Sequence, residues 1–431
     1  MTPVQPTSQV SRTLSPFGTT IFAEMTQLAV RHAAVNLAQG FPDFDGPQLA
    51  KRAAIDAIEA GHAQYARMIG VPTLNEAIAH AWRARTGLEA DPDVNITVTS
   101  GCTEAIPASV LGVVSPGDEV VVFEPFYDSY RACVALAGAT ARFVRLRPEA
   151  PRTRRRGFVF DPVELRRAFS PKTRAVLINT PHNPTGKVFT RSELEQVAEL
   201  CVRHDAIAIC DEVYEHLTYD DAPSHVSLAT MPGMKERTIT LGSLGKSYNL
   251  TGWKVGWAIA PENLTKGVRA AHQFLTFATA TPMQHGAAAI IRDGRECIDA
   301  TRSLFQRNRD ALSAALEALG FDVFRSDGTY FVMADHTPIS VRLGRDDVRD
   351  DRGFCAWLTR EIGVASIPPS AFYSEPDAGR SFVRFAYCKK ESTIAEAIAR
   401  LEKLRHHLPE RASPPGAHVE SSTLRERGIS A

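Results

Sequence analysis

From about residue 95 to 290 the chain alternates short runs of β-branched and apolar residues with longer amphipathic stretches. VNITVT (94–99), DEVVVF (118–123), RAVLIN (174–179), AIAIC (206–210) and RTITLG (237–242) each read as a strand buried on both faces. Between them, DPVELRRAF (161–169) and RSELEQVAELCVRH (191–204) carry helical spacing, each with Asp or Ser near its start. Strand, helix, strand in this order admits few solutions. The expected fold is α/β, with a mostly parallel central sheet between layers of helices and ligands gathered at the carboxyl ends of the strands.

The pattern changes after residue 300. An amphipathic helix around 301–320 precedes FDVF, TYFVMAD and a helix near 354–363, which together suggest a smaller α+β unit. The expected division is a flexible terminus (1–14), a segment packing with the small unit (15–45), a large domain (46–300), a small domain (301–408) and a disordered tail (409–431), rich in Pro, Ser and charge.

Composition excludes several functions. Lys plus Arg equals Asp plus Glu at 49 each, so no basic footprint for nucleic acid is expected. The one basic cluster, RTRRR (152–156), lies between Pro151 and Gly157 and reads as a solvated loop. The seven cysteines include no CxxC, which indicates neither a disulfide framework nor a metal site, and reduced thiols in the cytoplasm are expected. No apolar run approaches the roughly 18 residues of a membrane span.

Polar residues cluster where the strands end. RAVLIN runs into TPHNPTGKV with Asn183, AIAIC into DEVYEH with Asp211 and Tyr214, and RTITLG into SLGKS with Ser243 and Lys246. Asp211 follows Asn183 by 28 residues and Lys246 follows Asp211 by 35, each near the roughly 30 of one strand–helix–strand unit. These side chains can therefore meet in one crevice. Gly245-Lys246-Ser247 is not the end of a P-loop, because Thr240 stands where G-x-x-x-x-G-K-[ST] needs glycine.

The group instead suits pyridoxal 5′-phosphate, which needs an amine for a Schiff base and a carboxylate to keep the pyridine nitrogen protonated. Asn183 and Tyr214 can reach the ring's phenolic oxygen. TSGCTEAI (99–106), at a strand-to-helix turn, offers backbone amides and a helix dipole to the phosphate. Ser243 and Lys254 can add a hydroxyl and a cation there.

With these motifs the chain resembles the class I aminotransferases of pyridoxal-enzyme fold type I, in particular the kynurenine/glutamine aminotransferase branch. The likeness rests on VNLAQGFPDFDGP (35–47), QYARMIGVPTLNEAI (64–78), TSGCTEAI, EPFYDSY (124–130), NTPHNPTGKVF (179–189), DEVYEHL (211–217), SLGKSYNLTGWKVGW (243–257), GTYFVMAD (328–335), GVASIPPSAFY (363–373) and VRFAYCKK (383–390). The resemblance implies transamination between an L-amino acid and a 2-oxo acid, with Lys246, Asp211 and Tyr214 catalytic. It implies that Tyr127 stacks on the ring and that Gly101, Cys102, Thr103, Ser243 and Lys254 hold the phosphate. It further implies that Arg384, helped by Gly40 and Asn183, clamps the substrate α-carboxylate, a task suited to the guanidinium fork. A homodimer is implied too, with Tyr65 crossing to the other subunit's phosphate.

Large neutral or aromatic donors of the kynurenine, glutamine or methionine type are expected. The same scaffold also supports N-succinyl-diaminopimelate transamination, β-elimination on cysteine conjugates, and oxidation or cyclisation. Arg67 and Ile69 depart from the family pattern near the mouth of the site, and Phe277 falls in a segment that lines the pocket in relatives. Arg67 is the one charge in this neighbourhood and is expected to face solvent.

Overall fold

The computed structural model describes residues 10–150 and 156–409. Residues 1–9 of the expected flexible terminus, 152–155 of the basic cluster and 410–431 of the tail lie outside them.

Seven strands form the central sheet: β1 (Ile96–Ser100), β2 (Glu119–Glu124), β3 (Thr140–Arg145), β4 (Thr173–Asn179), β5 (Ile207–Asp211), β6 (Thr238–Ser243) and β7 (Val255–Ile259). Their spatial order is β1-β7-β6-β5-β4-β2-β3. All neighbours are parallel except β7, which runs antiparallel to both β1 and β6. Five of these strands match the sequence expectation to within two residues, whereas β3 and β7 were not anticipated. The reason is visible in TARFVR, where polar residues interrupt an edge strand that is half exposed.

Alternation along the inner strands feeds two cores. Val120, Val122, Ala175, Leu177 and Ile209 face one layer of helices. Their neighbours Val121, Phe123, Val176, Ile178, Ala208 and Cys210 face the other. A period-2 backbone buried on both sides gives this division and explains the near-continuous apolar runs.

Among the helices are α1 (Cys102–Val113), α2 (Arg191–Arg203), α3 (Leu244–Ser247), α4 (Glu262–Leu275) and α5 (Arg295–Leu319). α2 begins with a reciprocal capping box, in which Thr190 and Glu193 satisfy each other's free amides. α5 starts six residues before the expected 301, because Gly294 rather than Thr301 precedes its first turn. Gly320, at φ +104°, ends it in the left-handed region that suits glycine.

Beyond α5 lies a three-stranded antiparallel sheet of β8 (Asp322–Val323), β9 (Phe331–Asp335) and β10 (Phe382–Ala386), with Met333 opposite Arg384. The N-terminal segment reaches this region. Val35 and Asn36 pair in parallel with Val364 and Ala365, and the Ala386 amide donates to the Leu37 carbonyl at 2.7 Å. Among the described residues no helix is long and apolar enough to cross a membrane.

Candidate active site

The carboxyl ends of β1, β4, β5 and β6 open on one side of the sheet, and the predicted polar residues collect there. They line two adjoining cavities of about 150 Å³ and 210 Å³, which share Tyr127, Asn183, Tyr214, Lys246 and Thr251.

At one end of the smaller cavity, β1 turns into α1 through Gly101 at φ +68°. The first amides of α1 face the cavity, a ready site for an anion. β7 presses on this turn from behind: a Cβ on Gly256 would lie 2.5 Å from the Gly101 carbonyl carbon and 2.6 Å from the Cys102 nitrogen. Only glycine admits that approach. Lys254, itself in the left-handed region at φ +54°, bonds Thr103 Oγ1 at 2.7 Å. Ser243 caps α3 by accepting from the Gly245 amide at 3.0 Å. Gly101, Cys102, Thr103, Ser243 and Lys254 therefore share one rim, with amides, a hydroxyl and a cation.

Asp211 ends β5 at the floor of the cavity and is buried. Tyr130 donates its hydroxyl to Oδ2 at 2.6 Å, the Val213 amide to Oδ1 at 3.3 Å, and Cys102 Sγ lies 3.7 Å from Oδ1. Burial raises the carboxyl pKa, and these bonds and the nearby Lys246 pull it only part of the way back down. A carboxylate so held is ready to accept from a cationic N–H.

Lys246, in the single turn of α3, has its Nζ 5.9 Å from the Tyr330 ring centroid. Burial lowers its pKa against the opposing effects of Cys388 and Asp211, which favours the neutral, nucleophilic amine. Tyr214 meets Tyr330 edge-on at 5.2 Å, and Tyr330 donates to the Gly40 carbonyl at 2.6 Å. Tyr127 lines both cavities, its ring perpendicular to that of Tyr130.

A relay of amides joins the two cavities. Asn179 donates to the Asp211 carbonyl at 2.8 Å and accepts from the Asn183 amide at 2.7 Å. Asn183 Oδ1 in turn accepts from Arg384 Nη1 at 3.0 Å, and Arg384 Nη2 donates to the Ala38 carbonyl at 3.0 Å. Arg384 is fully buried, and its Nε has no hydrogen-bond partner. An orphaned guanidinium N–H in the wall of a cavity calls for an anionic acceptor. Burial lowers its pKa to about 10, which leaves it cationic at neutral pH. The rings of Phe331, Phe22 and Phe372 surround its charge at 4.1, 5.3 and 5.3 Å. A Cβ on Gly40 would strike Phe331 Cζ at 2.6 Å, so glycine there keeps the second cavity open.

Every predicted site residue but one lines these cavities. Tyr65 stands apart, 85% exposed, with its ring 5.5 Å from Phe277. Arg67 is turned away from both cavities, bonding Asp93 at 3.0 Å and the Gly70 carbonyl at 3.0 Å. Sequence reasoning missed Tyr130, Asn179, Tyr330 and Phe22. Tyr130, Asn179 and Tyr330 sit in the very motifs EPFYDSY, NTPHNP and GTYFVMAD that were singled out, so their position carried the signal; Phe22 carried none beyond being aromatic.

The model of the aminotransferase class I and II family matches residues 33–401. The chain belongs to that family. This aminotransferase is 47% identical over 404 residues to a probable N-succinyldiaminopimelate aminotransferase of Mycobacterium tuberculosis, covering 92% of this chain and 98% of that one. The N-succinyldiaminopimelate aminotransferase structure from that organism matches with a TM-score of 0.86 over 92% of this chain and all of the other. A methionine aminotransferase of Escherichia coli is 39% identical, covering 91% of this chain and 97% of that protein. The kynurenine–oxoglutarate transaminase of Dictyostelium discoideum is 36% identical over 93% and 97% of the two chains. The family generally depends on pyridoxal phosphate. The residues present fit it: an anion-binding rim, a buried carboxylate, an amine of lowered basicity and phenolic and amide donors border one cavity.

Proposed function

We propose that this aminotransferase moves the amino group of a large neutral or aromatic L-amino acid to a 2-oxo acid, using pyridoxal 5′-phosphate, as a cytoplasmic homodimer. In this reading 46–300 is the cofactor-binding domain and 301–408 the small domain, against which 15–45 packs. Gly101, Cys102, Thr103, Ser243 and Lys254 hold the phosphate, joined by Tyr65 of the second subunit. Tyr127 covers the ring, Asn183 and Tyr214 donate to its phenolic oxygen, and Asp211 accepts the N–H of its nitrogen. When bound, the cofactor accepts the electron pair released as the α-carbon loses its proton.

The rest is done by side chains. Arg384 binds the α-carboxylate through a guanidinium whose Nε–H is unpartnered, and thereby aims the α-carbon at Lys246. The Lys246 amine removes the α-proton and returns it as an acid. Burial among aromatic rings strengthens both contacts by excluding water.

The observation that carries the donor class is the wall of the second cavity. Phe22, Phe41, Tyr127 and Phe331 line it, and its only cations among the described residues are Lys246 and Arg384. A second carboxylate on the donor finds no further charge there, since Arg67 is paired with Asp93. A second reading, N-succinyl-diaminopimelate as donor, is favoured by the 47% identity to the Mycobacterium tuberculosis protein. The test compares kcat/KM for methionine, kynurenine, aspartate and N-succinyl-diaminopimelate in the wild type and in Arg67→Ala. Methionine and kynurenine should exceed aspartate by about tenfold or more. Aspartate as best donor, with its advantage lost in Arg67→Ala, overturns the assignment, and a clear preference for the succinylated donor selects the second reading.

A further inference from the structure

His272 on α4 lies outside both cavities, fully buried, at a junction behind the phosphate end of the site. Its Nδ1 is 2.5 Å from Glu104 Oε1, and its Nε2 is 2.9 Å from the Met68 carbonyl oxygen. Glu104 belongs to the first turn of α1, where its other oxygen accepts from the Ser100 amide at 2.5 Å. Met68 lies on the loop that carries Tyr65. The His272 carbonyl accepts from the Phe277 amide at 3.0 Å, and the Phe277 ring meets Tyr65. His272 thus joins the first turn of α1, through Glu104, to the loop that carries Tyr65, through Met68, and to the backbone of Phe277.

Counting protons fixes the charge of this junction. A carbonyl oxygen only accepts, so Nε2 carries hydrogen. The close contact at Nδ1 then requires one further proton, held by the ring or by the carboxyl group. Either way the pair is neutral. That neutrality has a consequence for the rim, because an uncompensated Glu104 carboxylate would compete with a phosphate for the same helix dipole and would repel it.

We propose that His272 is a positioning residue that, by sharing one proton with Glu104, keeps the phosphate end of the site free of a competing negative charge. The inference rests on the reading of Gly101–Thr103 as the phosphate holder. Burial disfavours a charged ring, but Glu104 outweighs it and holds the His272 pKa above the ordinary histidine value. Glu104 is the charged group facing the ring from α1. On its own helix Arg269, three residues earlier, has its guanidinium spent on Thr97 Oγ1 and the carbonyls of Asp93 and Ile96. The Arg67–Asp93 pair acts on Arg269 from the Met68 side. The shared proton is therefore kept at neutral pH and lost as pH rises through the raised pKa.

The test measures equilibrium affinity of the full-length protein for pyridoxamine 5′-phosphate, which makes no covalent bond to Lys246, between about pH 6 and about pH 10. Wild-type affinity should fall roughly tenfold as the shared proton leaves, and Glu104→Gln, with no charge to unmask, should lack that step. His272→Gln should bind roughly tenfold more weakly already at neutral pH, and the double variant should recover. Should His272→Gln fail to fold, the profiles of the wild type and Glu104→Gln decide alone. Identical profiles in those two overturn the inference while leaving the phosphate site intact. A wild type that does not bind pyridoxamine 5′-phosphate overturns both.

Discussion

One physical cause, burial, acts on both Lys246 and Asp211, and it helps the first and hinders the second. Burial strips water from both, which pushes the amine toward neutrality and the carboxyl toward protonation. For the lysine this is useful in the proposed reaction, where one neutral amine would bind the cofactor and move the α-proton. Lys246→Ala should therefore retain cofactor by contacts alone, lose its borohydride-reducible bond, and lose transamination by about 10⁴-fold or more. A reducible bond that survives would place the reactive amine elsewhere. For the aspartate burial is harmful, and the 2.6 Å bond from Tyr130 offsets it. Tyr130→Phe keeps the ring but removes that donor. The Asp211 pKa should then rise, so a higher pH is needed to ionise it, and the acid limb of kcat/KM should move upward in pH. At neutral pH the loss should be about tenfold. An unmoved acid limb would show that Tyr130 does not tune this carboxylate.

At the scale of elements, what was legible in the sequence is what periodicity and strand ends encode. Five central strands announced themselves as runs of β-branched and apolar residues, and the residues just past them, Asn183, Asp211 and Lys246, could be placed in one crevice from their spacing. β7 was not legible, because its antiparallel course depends on pairing with β1 and β6. Yet β7 shapes the anion rim, and Gly256 is where it does so. Gly256→Ala would drive a methyl group to 2.5 Å from the Gly101 backbone, where no side chain can yield. The turn into α1 must then shift, which misdirects its first amides. The expected result is a pyridoxal 5′-phosphate affinity lowered by about tenfold or more, with the melting temperature of the cofactor-free protein lowered by only a few degrees. An absorbance titration against thermal unfolding separates the two effects. Unchanged affinity would show that β7 does not shape the rim. Side-chain links such as Asn179 to Asp211 were equally invisible beforehand, because a hydrogen bond between strand ends depends on register rather than on residue type.

At the scale of the whole molecule, one predicted site residue is left on the outside of its own chain. Tyr65 is 85% exposed, and near it Phe274 is 85% exposed and Phe277 and Leu275 about half. A cluster of this kind marks a surface that something covers. Residues 63–65 and 278–282 border a concavity beside it. In a two-fold dimer the same patch meets its own copy, so a residue leaving one site can enter the other. If Tyr65 bonds the partner's phosphate, Tyr65→Ala disables the neighbouring site, whereas Lys246→Ala disables its own. A mixed dimer of the two variants then holds one site with both defects and one with neither. After subunit exchange at equal concentrations half the dimers are mixed, and about a quarter of wild-type activity should return. The gain should appear only on mixing, should vanish when exchange is blocked by crosslinking beforehand, and should be absent from the doubly substituted protein. A chain that sediments as a fully active monomer, or variants that show no recovery despite proven exchange, would leave Tyr65 as a surface residue of the chain that carries it.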